Sequence, residues 1–138
     1  MSGSLDSALE QQVEQLCDTG DQCAENQDFS QANVHYLEAL AVLPEPANQW
    51  EQGAWVYGSL GETYFHQQDF TQMLENFEAA LSCPQGADNP FIHLRLGQAY
   101  FEVTELDKAK ACFKQVVSMA SEEVFADEDS KYLALLKP

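Results

Sequence analysis

Lysine and arginine are scarce in this chain: six stand against 23 aspartates and glutamates over 138 residues, for a formal net charge of −17. The six, Arg95, Lys108, Lys110, Lys114, Lys131 and Lys137, all lie in the last third. Binding nucleic acid needs a clustered basic surface to neutralise phosphates, so nucleic acid is excluded as a partner. An anionic membrane surface would repel the chain for the same reason. Long hydrophobic runs are missing too, and none approaches the roughly 18 residues of a membrane-spanning helix. Met1 to Leu5 hold neither the basic nor the apolar part of a secretory signal, so the expected location is the cytoplasm. Cys17, Cys23, Cys83 and Cys112 form no C-x-x-C pair and are expected to be reduced, mostly buried thiols.

Signatures of chemistry are equally thin. His35, His66 and His93 show no metal-ligand spacing. There is no glycine-rich phosphate loop, no G-x-S-x-G and no cysteine beside an evident base. The acidic run Glu122, Glu123, Asp127, Glu128 and Asp129 lacks the central glycine of a calcium loop and reads as a solvated face. No catalytic residue, no metal and no cofactor is expected.

What is present is a repeat in a chain with 45% apolar residues, enough for one packed domain. Residues 20–44 align without a gap on residues 61–85, an offset of 41, with Gly20/Gly61, Asp28/Asp69, Phe29/Phe70, Ala39/Ala80 and Leu40/Leu81 among the identities. A third copy follows at an offset of 36, where Gly97, Tyr100, Phe101, Ala109, Phe113 and Val116 fall on Gly61, Tyr64, Phe65, Met73, Phe77 and Ala80. Within a copy, Phe70, Met73, Leu74, Phe77, Ala80 and Leu81 lie on one helical face, and Ala54, Tyr57, Leu60, Gly61 and Tyr64 on another. The stretch 67–69 between them reads as a turn. Asp28 with Gln31 and Asp69 with Gln72 are placed as capping boxes, Asn89-Pro90 as an N-cap and first-turn proline, and Ser7 with Glu10 as the cap of the opening helix.

These residues resemble the tetratricopeptide repeat (TPR), a helix-turn-helix unit. Tyr57, Leu60-Gly61, Tyr64, Phe77, Ala80 and Pro84 carry the likeness in copy two, and Leu96-Gly97, Tyr100, Ala109 and Phe113 in copy three; Gly20, Ala32, Tyr36, Ala39 and Pro44 do so in copy one. The resemblance implies an all-α fold: three TPR helix-turn-helix repeats in a right-handed superhelix plus a C-terminal capping helix. The expected single domain divides into repeat 1 at about 9–44, an extended connection at 45–53, repeat 2 at about 54–87, repeat 3 at about 90–121 and a capping helix at about 123–137. The connection accounts for the offset of 41 where the family has 34, and it either lengthens the next helix or forms an ordered loop.

The resemblance also implies a non-catalytic protein-protein interaction module, with a concave face lined by the first helix of each repeat. That face carries Glu14, Cys17, Asp21 and Ala24, then Trp55, Gly58, Glu62 and Phe65, then Phe91, Leu94, Gln98 and Phe101, with Arg95 nearby. Glu14, Asp21, Trp55, Glu62, Phe65, Phe91, Arg95, Gln98 and Phe101 are the expected partner-binding residues. An acidic, aromatic-lined groove suits a protein with a basic surface, and it does not suit the acidic tails that co-chaperone repeats clamp with lysine and arginine. Stretches such as Leu43-Pro44-Glu45-Pro46 and Asn89-Pro90-Phe91 are similar to single-domain TPR immunity proteins of bacterial polymorphic toxin systems, which implies a toxin domain as partner. Three alternatives stay open: an adaptor or assembly scaffold for a peptide segment, acidity that serves solubility only, and Phe65 and Phe101 as internal packing.

Overall fold

The structure, a computed structural model, describes residues 5–137. Asp6 opens the first helix, α1 (Ser7–Glu25), its carboxylate accepting from the Ala8 N–H at 2.8 Å; the cap is therefore Asp6 and not Ser7, because the side chain one residue earlier reaches the free amides first. α2 (Phe29–Val42) and α4 (Phe70–Ser82) are capped by Asp28 and Asp69, which accept from the Gln31 and Gln72 amides at 3.2 and 3.3 Å. Only half of each expected capping box forms. The Asp28 and Asp69 amides are already donated back to the Cys23 and Tyr64 carbonyls of the preceding helices, at 2.8 and 2.9 Å, so neither glutamine is needed to satisfy them.

α3 (Glu51–His66), α5 (Pro90–Glu102) and α6 (Leu106–Met119) complete three helix pairs: α1 with α2, α3 with α4, and α5 with α6. Each pair turns through one residue in the left-handed region, Gln27, Gln68 and Thr104, with φ of 63°, 61° and 65°. Asn89 caps α5 by accepting from the Phe91 amide at 2.9 Å, with Pro90 in the first turn as expected.

Each pair closes on one glycine and one ring. A Cβ added at Gly20, Gly61 or Gly97 would lie 2.6, 2.4 or 2.5 Å from the side chain of Tyr36, Phe77 or Phe113. The glycine lets the second helix approach until its aromatic ring fills the cleft, which is why glycine and ring recur at the same offsets. The rings sit in three successive cores centred on Tyr36, Phe77 and Phe113, each buried.

The connection 45–53 is both things the sequence allowed. A 3-10 turn at Ala47–Gln49, fastened where Trp50 Nε1 donates to the Pro44 carbonyl at 2.8 Å, leads into α3, whose first turn already contains Gly53. A second 3-10 turn, Gly86–Asp88, links α4 to α5. The end of the chain differs from one capping helix over 123–137: it is a 3-10 turn at Glu122–Phe125 followed by the short α7 (Ser130–Ala134). Asp129 causes the break by starting a new helix, accepting from the Lys131 amide at 3.0 Å. Phe125 and Tyr132 still cover the last open face, with ring centroids 5.3 and 6.0 Å from that of Phe113. Among the described residues, no helix is long and apolar enough to cross a membrane.

Candidate partner-binding groove

The shared register of the first helices puts Glu14, Trp55 and Phe91 at one level, Cys17, Gly58 and Leu94 at the next, then Asp21, Glu62 and Gln98, then Ala24, Phe65 and Phe101. The structure does not expose all of them. Cys17, Leu94 and Gln98 are buried, correcting their expected place on the open concave surface. Burial pushes the Cys17 thiol up to about 12, with the Asp21 and Asp18 charges acting in the same direction, so it stays protonated and unreactive.

Gln98 is buried because the chain's own end lies against it. Its amide donates to Glu128 Oε1 at 2.7 Å and its Oε1 accepts from Arg95 Nη1 at 2.8 Å. Arg95, with only 14% of its side chain exposed, is enclosed by partners: Nε pairs with Glu62 at 2.7 Å and Nη1 with Glu128 at 2.8 Å. Its guanidinium carbon lies 5.1 Å from the centroid of Phe65 and 4.8 Å from that of Phe91. Phe101 packs edge-on against Tyr132 at 5.1 Å. The C-terminal third of the groove is thus filled from within: Arg95 and Gln98 bind Glu128, Phe101 packs on Tyr132, and Phe65 lies against the Arg95 guanidinium.

The remaining groove is open. A cleft of about 1090 Å³ runs between α1, α3 and the 84–92 segment, and Trp55 and Phe91, each 41% exposed, stand over it. Its acidic lining residues are Glu10, Glu14, Glu51, Glu62 and Asp88, and no lysine, arginine or histidine lines it. A smaller cavity of about 420 Å³ continues beyond Ser59 and Glu62 to Asp21 and Phe29. Asp21 is held in place by Tyr36, whose hydroxyl donates to Oδ1 at 2.6 Å; burial together with this bond raises the phenol above its ordinary range. Of the expected site, Glu14, Trp55, Glu62 and Phe91 share the cleft and Asp21 borders its extension, while the other four are held in internal contacts.

Sequence reading missed Glu10, Glu51, Asp88 and Glu128. Glu51 opens α3 within the 45–53 surplus, so the end of that segment does contribute to the cleft. Glu10 lies one turn before Glu14 on the same helix face, a spacing that could have revealed it. Glu128 had no local signal, being one carboxylate in an acidic run and 33 positions from Arg95.

Residues 92–123 match the family model of the tetratricopeptide repeat. Among curated proteins none matches the chain. Solved structures similar to it include the N-terminal domain of stress-induced protein-1 from C. elegans, at 21% identity over 94% of this chain and 98% of that one, with a TM-score of 0.73. The first TPR of Spaghetti (RPAP3), bound to the HSP90 peptide SRMEEVD, follows at 16% identity over 92% and 89%, with a TM-score of 0.71. The Arabidopsis OM64 TPR domain is similar at 17% identity over 91% of each chain, with a TM-score of 0.70. One segment thus matches the repeat by sequence, and the chain as a whole has an all-helical, superhelical fold like that of TPR domains.

Proposed function

We propose that this chain is a non-catalytic protein-binding module whose open cleft captures a basic surface of a protein partner. One observation carries the reading: two large aromatic side chains stand exposed over a cleft that five carboxylates line, of which Glu62 alone is paired with the arginine behind it, Arg95, while no cation lines the cleft itself. Stacking the helices does not require Trp55 or Phe91 to be exposed, and rings of this kind, flanked by charge, are the usual anchors of an interface. The peptide bound by the Spaghetti domain, SRMEEVD, carries three acidic residues against one arginine. A ligand of that sign would meet repulsion here, because the one arginine in this groove already pairs with Glu62 and Glu128. The preferred partner therefore carries the opposite charge.

The narrower form of the proposal is an immunity protein that masks a cognate toxin domain. A toxin acting on nucleic acid needs a cationic active surface, and an acidic cleft placed over it would block access. The alternative is an adaptor holding a peptide segment, which the open length of the cleft also accommodates. The two separate on the form of the ligand, since an adaptor binds the isolated segment as tightly as the whole partner and an immunity protein needs the folded domain.

The test is a pull-down from the native host followed by affinity measurement on the captured partner. Trp55→Ala and Phe91→Ala are each expected to weaken binding by about 2 kcal/mol or more, roughly 30-fold. A folded double variant that binds as tightly as the wild type overturns the proposal.

A further inference from the structure

Arg95 is the groove's own example of how it holds a guanidinium: a carboxylate from the preceding repeat, Glu62, on one side and the ring of Phe91, one turn back on the same helix, on the other. The register of the repeats says what occupies the equivalent place one repeat earlier. Gly97, Gly61 and Gly20 fix that register, as do the left-handed residues Thr104, Gln68 and Gln27, at the same offsets of 36 and 41. Trp55 then takes the place of Phe91, and Asp21 that of Glu62. Ser59 takes the place of Arg95, and Gly58 that of the buried Leu94. The carboxylate and the ring recur; the cation between them does not.

Two small residues leave this second seat open. A Cβ added at Gly58 would meet nothing within 4 Å. Both the 1090 Å³ cleft and its 420 Å³ extension reach Ser59 and Glu62, with Trp55 bordering the first and Asp21 the second. Asp21 Oδ1 accepts from the Tyr36 hydroxyl, which leaves Oδ2 free to accept from a ligand. Glu62, with both oxygens near Arg95 Nε at 2.7 and 3.1 Å, still has lone pairs on its other side.

Resting on the reading of the cleft as a site for a basic partner, we infer that one arginine side chain of that partner enters over Ser59. Its guanidinium stacks on Trp55 and pairs with Asp21 and Glu62, as Arg95 stacks on Phe91 and pairs with Glu62. Arginine is preferred over lysine because a planar fork can stack and pair at the same time, whereas an ammonium offers a point charge.

The probe is a fluorescein-labelled peptide with arginines at alternate positions, compared with its lysine and glutamate counterparts by fluorescence anisotropy at low salt. The wild type is expected to bind the arginine peptide about fivefold or more tighter than the lysine peptide, and the glutamate peptide not at all. Ser59→Arg supplies the missing cation from within, so it should weaken the arginine peptide about tenfold or more without lowering the melting temperature. Gln115→Arg, exposed on α6 with the same net charge, is the control for charge alone and should change affinity less than about twofold. Asp21→Asn keeps an acceptor for Tyr36 but removes the charge, and should weaken the peptide several-fold even if Ser59→Arg folds poorly. Unaltered binding in both Ser59→Arg and Asp21→Asn, with Trp55→Ala still weakening it, overturns the seat and leaves the cleft standing. A wild-type protein that does not distinguish arginine from glutamate peptide overturns both.

Discussion

Gly58 and Gly61 sit three residues apart on α3 and answer to opposite constraints. A Cβ at Gly61 would fall 2.4 Å from the Phe77 ring, so alanine there must push α3 and α4 apart and is expected to lower stability by about 2–3 kcal/mol. A Cβ at Gly58 meets nothing within 4 Å, and alanine there should instead raise stability by about 1 kcal/mol, or ~4 °C in melting temperature, through helix propensity. Thermal and urea unfolding of the two variants check this, and a loss of stability in Gly58→Ala would mean that its space is not open. At this scale the sequence was legible where a residue serves the repeat. Gly20, Gly61 and Gly97 recur at two offsets because each faces one ring. It was silent where a residue serves a contact made once, which is why Gln98 and Cys17, on the expected concave positions, turned out to be buried.

Among the elements, the terminal segment is the one whose placement depends on a few polar contacts. Glu128 reaches Arg95 and Gln98, and Tyr132 donates to Glu102 at 2.6 Å, so the segment is held from both ends as well as by its rings on Phe113. Arg95→Met keeps the length of the side chain but leaves Glu62 and Glu128 facing each other without a cation. Breaking such a pair from one side is strongly destabilising when buried; with side-chain exposures of 14–28%, about 2 kcal/mol is expected. The loss should be local. Hydrogen exchange of the Ala126, Tyr132 and Leu135 amides should quicken while α1 to α4 keep their protection, and equal acceleration throughout would show that Arg95 supports the whole stack instead. A second substitution, Glu128→Gln, should recover part of the loss by removing the repulsion. Helix pairs and their turns were legible from periodicity and turn residues. The break in the terminal helix was not, because Asp129 as an N-cap is indistinguishable in sequence from its acidic neighbours.

At the scale of the whole molecule the dominant quantity is charge. Arg95, Lys108, Lys131 and Lys137 each lie against a carboxylate, so the cations are largely spent on internal pairs, and the excess of negative charge remains over the cleft and α1. That excess acts in two directions. It repels itself, which disfavours the compact state, and it attracts a basic partner from a distance, which speeds encounter. Salt screens both, with a Debye length falling from about 30 Å at 0.01 M to about 8 Å at 0.15 M. The two responses therefore have opposite signs. Raising salt over that range should raise the melting temperature, since most of the like charges are exposed while Arg95 and its partners are partly buried and less screened. Over the same range the association rate with the captured partner should fall about tenfold or more, with the dissociation rate changing little. Stopped-flow association and calorimetric melting in matched buffers measure the pair. If stability rises with salt while association stays flat, the charge serves only solubility; if both respond as expected, the carboxylates over the cleft act on the partner before contact is made.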